Sequence, residues 1–346
     1  MVLCSMQALY AQAGKDTYLF LNLPASARTA AFGGFVTSVC DGDLTLAFNN
    51  PAILSDKTHN MLMLNYSNYL ADINFGSVAY GRTLFGSRHS FGFGLHFIDY
   101  GKFVRTSVED VQLGTFTAKD IALSLMYTYH IAPQLSAGIT MKPIYSAYER
   151  YSSFGLAFDF GAMYCNDSIG FSTGLVVRNI GWQFTGYRSL DGRQHRESLP
   201  IDVQVGISQH LKYAPFRFTL TLHNLQRWNL GYERTSTLID AYTQTNQGNG
   251  NSRYTGKVMW YDMLFRHSIW TMEVLLPKNI YLMASYNHRR RAEMHVPDFK
   301  SLAGFSFGAG LKIYKFRVDF ALTSYQKGAT AFQFTLGTGL SEFGVR

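Results

Sequence analysis

The chain has 346 residues, and only 16% are charged while 15% are aromatic, against roughly a quarter charged in ordinary soluble domains. No window holds the eighteen or so unbroken apolar residues of a membrane helix, so a membrane-spanning form must be a closed barrel. The net charge of +8 goes with exported segments rather than a nucleic-acid motif, so anionic lipid headgroups and lipopolysaccharide phosphates are its expected counter-charge and no nucleic acid is expected.

The first element, residues 1–13, reads as a signal peptide. It is short and mostly apolar and ends in Ala11-Gln12-Ala13, a small-x-small cleavage pattern. It lacks a positively charged n-region, the pattern of a leader clipped at its start. Residues 14–58 come next. Small residues, the pair Gly33-Gly34 and the sequence Asn50-Pro51-Ala52 mark turns and short helices. About forty compact residues before the first strand suit an N-terminal plug folded into a barrel lumen.

From residue 59 to 346 the dominant signal is period-2 alternation. Phe216, Phe218, Leu220 and Leu222 alternate with Arg217, Thr219, Thr221 and His223. Phe316, Val318, Phe320 and Leu322 alternate with Arg317, Asp319, Ala321 and Thr323. Such runs predict strands at 61–70, 73–84, 90–99, 119–130, 134–148, 154–165 and 168–178, then 200–211, 215–225, 267–276, 279–290, 302–313, 315–324 and 330–340. The expected fold is therefore all-β: a transmembrane antiparallel β-barrel of about fourteen strands with an N-terminal plug. Runs of about eleven residues, tilted near 40°, span roughly 28 Å, enough for a hydrocarbon core. A soluble sandwich also alternates, but its strands are about half as long.

Connection lengths give a second signal. Those after even strands are tight, such as Asn166-Asp167 and Tyr314. Those after odd strands include three long ones, Tyr100–Ala118, Asn179–Pro200 and Gln226–Arg266. Short turns on one rim and long loops on the other are the periplasmic and extracellular ends of such barrels. An even strand count places both termini on the short-turn, periplasmic side of an outer membrane.

These segments together resemble the PorQ family, outer-membrane barrels of the type IX secretion system of Bacteroidota. More distantly they resemble the fatty-acid-transporter-like (FadL-like) barrels that include PorV. The resemblance runs over nearly the whole mature chain. It rests on Asn50-Pro51-Ala52, Asn68-Tyr69-Leu70-Ala71-Asp72, Lys142-Pro143-Ile144-Tyr145-Ser146, Val177-Arg178-Asn179-Ile180-Gly181, His223-Asn224-Leu225-Gln226-Arg227-Trp228 and Leu340-Ser341-Glu342-Phe343, in that order. It implies a fourteen-stranded barrel with an N-terminal hatch. It also implies a non-enzymatic role in the attachment complex, where PorU, PorV and PorZ join secreted cargo to lipopolysaccharide. PorZ is the expected direct partner. The Gln/Asn/Gly-rich stretch 243–252 departs from the family. The alternative is an outer-membrane transporter or channel for hydrophobic or small solutes.

No catalytic or metal site is expected. The histidines are scattered, with no His-Glu-x-x-His or Cys-x-x-Cys set and no Gly-x-Ser-x-Gly elbow, and no cofactor is implied. The candidate contacts to lipopolysaccharide or an acidic partner are Arg289, Arg290 and Arg291 at the outer end of a strand, with Arg188 and Arg193 in a long loop. Trp182 and Trp260, placed in long loops, are candidate partner anchors. The same residues also fit a solvated basic rim and a membrane-interface girdle. Cys40 in the plug and Cys165 at a strand end could pair, if their Cα atoms come within about 7 Å.

Overall fold

The computed structural model describes residues 16–69, 73–84, 88–107, 109–188, 194–230, 259–277, 280–294, 301–326 and 329–344. Fourteen antiparallel strands form one closed barrel. In chain order they are β1 (Met61–Asn68), β2 (Asn74–Leu84), β3 (His89–Thr106), β4 (Gln112–Ala132), β5 (Leu135–Tyr148), β6 (Tyr151–Asn166) and β7 (Phe171–Thr185). After a two-residue pair, β8 (Tyr187–Arg188) with β9 (Gln194–His195), come β10 (Asp202–His210), β11 (Phe216–Leu222), β12 (Ser268–Leu276), β13 (Ile280–Asn287), β14 (Phe305–Ile313), β15 (Phe316–Gln326) and β16 (Ala329–Gly339). Each barrel strand pairs with its chain neighbour, β7 with β10 across the small pair, and β1 closes the ring on β16 with Met61 opposite Gly339. Closure leaves no long sheet edge, so backbone polar groups are satisfied around the ring.

Alternation decides which face is which. Along β11 the buried positions are Arg217, Thr219 and Thr221, while Phe218 is exposed. Along β15 and β16, Asp319, Ala321, Gln333 and Thr335 are buried while Phe320, Phe332 and Phe334 are exposed. The inward face is polar or small and the outward face is an aromatic and aliphatic band. That is the arrangement of a barrel set in lipid. No described helix is long and apolar enough to cross a membrane.

All fourteen predicted strands are present. Three details differ. The predicted loop Tyr100–Ala118 is mostly strand: β3 and β4 continue pairing, past an irregularity at Asp99 and Lys102, up to Thr106 opposite Gln112. Backbone pairing extends above the level where the apolar alternation stops, so hydropathy missed it. Likewise β7 runs to Thr185, past a register shift beside Asn179, whose φ is 58°. Trp182 therefore lies in a strand rather than a loop. Finally, β13 ends at Asn287, and His288–Met294 is a short helix rather than strand. The Asn287 side chain accepts from the Arg290 backbone N–H at 3.0 Å, which turns the chain into the helix.

Candidate functional site

Residues 17–58 occupy the inside of the barrel. The first turn of the short helix α1 (Ala27–Ala31) is capped by Ser26, whose hydroxyl accepts from the Thr29 N–H at 3.1 Å. Asn50 sits on the start of the turn Pro51–Ile53, with its side-chain oxygen accepting from the Ala52 N–H at 3.0 Å. Its amide also donates to Thr37 O at 2.9 Å and to Ala162 O in β6 at 3.3 Å. Asn50, Pro51 and Ala52 are fully buried and tie plug to wall. Phe32, Leu44 and Leu46 are also fully buried, and each contributes about 1.5–3 kcal/mol.

The wall is hydrogen-bonded to this segment from many sides. Gln333 Nε2 donates to Pro24 O, Arg178 Nη2 to Leu21 O, Ser136 Oγ to Ala52 O, Ser172 Oγ to Ser38 O, and Asn287 Nδ2 to Gly33 O, at 2.6 to 3.2 Å. Where the plug comes closest, the wall residue is glycine. A Cβ on Gly174 would lie 2.0 Å from Thr37 O, one on Gly161 2.1 Å from the Asn50 side-chain oxygen, and one on Gly308 2.4 Å from the Ala31 Cβ. The wall is thus shaped to this plug.

Its strongest fastening is ionic. Arg28 of α1 bonds Asp43 at 3.1 Å and Glu273 of β12 at 3.1 Å, and also Asp41. Arg217 of β11 meets Asp41 at 2.9 Å and bonds Glu273 at 2.8 Å. Arg317 of β15 meets Asp43 at 2.9 Å and Asp319 at 3.0 Å. The Tyr281 hydroxyl donates to Asp319 at 2.8 Å, and the Arg28 guanidinium stands 5.1 Å over the Tyr281 ring. Three guanidinium groups and four carboxylates thus interlock plug and wall. Forked guanidinium groups can serve two or three carboxylates at once.

Burial by itself would raise the Asp41 carboxyl, but the adjacent Arg28 and Arg217 charges outweigh it and hold the group well below the usual 3.8. A depressed carboxyl stabilises the folded form fully above its unfolded value and loses that contribution as pH falls through the folded one. We therefore expect the stabilisation that Asp41 itself supplies, read by calorimetry as the midpoint difference between the parent and Asp41→Asn, to stay level from pH 7 to about 4 and to shrink below that. A difference that already shrinks at pH 6 would contradict this.

A second polar group faces the plug from the opposite wall. Lys142 pairs with Asp159 at 2.5 Å and donates to Asn179 at 3.2 Å. Beside it, Leu21, His96, Lys142 and Arg178 line a cavity of about 10 Å³, room for about one water molecule.

At the short-turn rim, Cys40 and Cys165 form a disulfide with Cα atoms 6.6 Å apart. The bridge joins plug to β6 across 125 residues of chain. Closing a loop of that order contributes roughly 4–5 kcal/mol in the chain-entropy account. Cys40→Ser should lower the thermal midpoint in oxidising buffer and abolish its dependence on dithiothreitol.

The fold is similar to that of TodX. A TodX monoaromatic hydrocarbon channel carrying the deltaS2 mutation superposes with a TM-score of 0.53, at 13% identity, over 91% of this chain and 98% of that one. The Pseudomonas putida toluene transporter TodX gives 0.52 at 11% identity, over 91% and 96%. At such identity the likeness concerns the fold alone. No protein-family model and no curated protein matches the chain.

The sequence-predicted contacts are dispersed by the structure. Arg289 pairs with Glu293 at 2.7 Å. Arg290 turns inward, donating to Gly33 O at 3.1 Å and Ser306 Oγ at 3.3 Å, and stands 4.5 Å over the Tyr325 ring. Arg291 donates to Ser301. So this run braces the plug and an outer loop, and it is not a free basic comb. Arg188 contributes backbone to the pair of β8 with β9, and its side chain lies outside the described residues, as do Arg193, residues 1–13 and stretch 243–252. Trp182 is 63% and Trp260 71% exposed. Sequence reasoning missed Arg28, Asp41, Asp43 and Glu273. Arg217, Arg317 and Asp319 were visible on the polar parity of strands, but parity alone cannot pair them with a plug.

Proposed function

We propose that this protein is a non-enzymatic outer-membrane barrel, kept shut by its own plug, that anchors a surface complex. The complex is that of the type IX secretion system, in which the barrel holds PorZ beside PorU and PorV while cargo is joined to lipopolysaccharide. The short-turn rim, where β1 begins and β16 ends, faces the periplasm; the described chain itself starts at the opposite, long-loop end, where Asp16 bridges Ser198, and not on the short-turn side that an even strand count led us to expect. The observation that supports the anchor reading is the fastening of the plug: an ion network, a disulfide and glycine seats all hold it, and the cavity beside Lys142 and Arg178 is water-sized. A barrel that need not open can afford such fastening.

The second reading is passage of hydrophobic solutes, and the likeness to TodX, a monoaromatic hydrocarbon channel, favours it. Affinity purification from outer membranes and toluene uptake into proteoliposomes separate the two. The anchor reading expects PorZ, with PorU and PorV, in the eluate and uptake no faster than through empty liposomes. Uptake above that background with no such partners in the eluate would replace it with transport.

A further inference from the structure

The helix Trp260–Arg266 has its faces reversed relative to a helix on a water-exposed loop. Its charged residues, Asp262 and Arg266, pair with each other at 2.7 Å, and Asp262 also meets His288 at 2.9 Å, on the side turned to the protein. Met263 on that side is buried and its sulfur accepts from the Leu230 N–H at 3.2 Å. Trp260, Tyr261, Leu264 and Phe265 fall within one arc at 100° per residue, and all four are 44–71% exposed. Presenting four large apolar side chains while turning the ion pair inward is costly in water.

The position of the helix says what covers this arc. Phe265 packs edge-on against His288 at 5.9 Å, His288 against Tyr286 at 5.9 Å, and Tyr286 against Phe305 at 5.0 Å. Tyr286 lies opposite both Trp270 and Phe305 in the sheet register, so these three form one level ring segment on the outward face. The row stands at the long-loop end of the apolar band, where aromatic girdles meet lipid headgroups. The helix's exposed arc is continuous with that row.

We propose that Trp260–Arg266 is an interfacial helix that lies in the outer leaflet, its apolar arc buried among headgroups and upper acyl chains. The occupant is lipid, because the arc continues a surface that already faces lipid, and the inward ion pair leaves no charge to be desolvated. The helix anchors the start of β12 at a fixed depth and adds an apolar shelf beside the barrel. The assignment rests on the lipid-facing reading of the wall and not on the anchor function.

The test places the protein in phosphatidylcholine–phosphatidylglycerol vesicles. Replacing Trp182, Trp228 and Trp270 by Phe leaves Trp260 as the only tryptophan. Its emission is expected to be blue-shifted and quenched several-fold more by lipid carrying a nitroxide near the headgroup than by aqueous iodide. Stronger quenching by iodide, with no response to the nitroxide lipid, would overturn the proposal and leave a protein surface as occupant. Should the triple variant fail to fold, a nitroxide on Trp260→Cys in a Cys4→Ser background reports the same depth, since Cys40 and Cys165 are joined. Faster relaxation with oxygen than with a water-soluble nickel chelate supports lipid burial. The reverse order overturns it.

Discussion

Arg28→Ala is expected to cost about 3–5 kcal/mol and to lower the urea midpoint without changing the slope of the transition. The residue is 3% exposed and bonds carboxylates of Asp43 and Glu273 that are fully buried. Truncation leaves those charges with Arg317 and Arg217 alone, while Asp41 loses one of its two guanidinium partners. The penalty comes from stranded carboxylates rather than from lost packing, although the ring contacts to Phe32 and Tyr281 also go. Arg28→Lys separates the two effects. An ammonium keeps the charge but cannot fork between three carboxylates, so it should recover only part of the loss. Arg28→Met keeps much of the volume and none of the charge, and it should behave like Ala. If Arg28→Ala unfolds within 1 kcal/mol of the parent, about the worth of an exposed pair, the network does not fasten the plug.

The barrel was legible because its signal is redundant. Each strand repeats the same two-residue alternation, and a one-residue slip would put Arg217 or Asp319 into the lipid-facing band. Strand number, order and the identity of the short-turn rim all follow. The ends were less legible. The hairpin above Asp99 and the extension of β7 past Asn179 are held by backbone pairing, which leaves little mark in hydropathy. The plug was visible as a segment but not as a structure, because many of its contacts are to wall residues far along the chain, up to 309 positions away. Arg28 and Glu273 are 245 residues apart, and Ala27 N–H donates to Thr335 across 308. Nothing local announces either contact. The basic run 289–291 was only partly legible. It reads as a surface patch, yet Arg290 is drawn inward because plug carbonyl Gly33 O and the Tyr325 ring lie beneath it.

Two kinds of fastening differ in what they imply. Ion pairs and a disulfide can be undone by acid or by reductant, so alone they would suit a plug that is sometimes released. The glycine seats cannot be undone by either. They show a wall contoured to one plug position, with α1 against Gly308, Asn50 against Gly161 and Thr37 against Gly174. A plug that left and returned would need only ionic guidance. Contact at backbone distance on several strands fits a plug that stays.

Gly174→Val tests the contouring directly. The first added atom would lie 2.0 Å from Thr37 O and 2.8 Å from the Thr37 carbonyl carbon, and both are backbone. No rotamer relieves a backbone clash, so the Val36–Cys40 stretch must lift from β7. The shift takes with it the Asn50 amide bond to Thr37 O and the Ser172 bond to Ser38 O. Overpacking alone costs about 1–3 kcal/mol, and two buried hydrogen bonds add roughly 1 kcal/mol each. The result should be a barrel that still folds, since Gly174 keeps its ladder position opposite Gly206, but whose plug no longer seals. Planar-bilayer recordings should then show ion conductance where the parent protein shows none. Gly339→Ala is the matched control: its new atom would meet only the Glu342 side chain, Cγ at 3.8 Å and Oε1 at 3.9 Å. It should leave the barrel silent. A silent Gly174→Val barrel with unchanged stability would mean the plug yields easily at this seat, and the sealed-anchor reading would lose its main physical support.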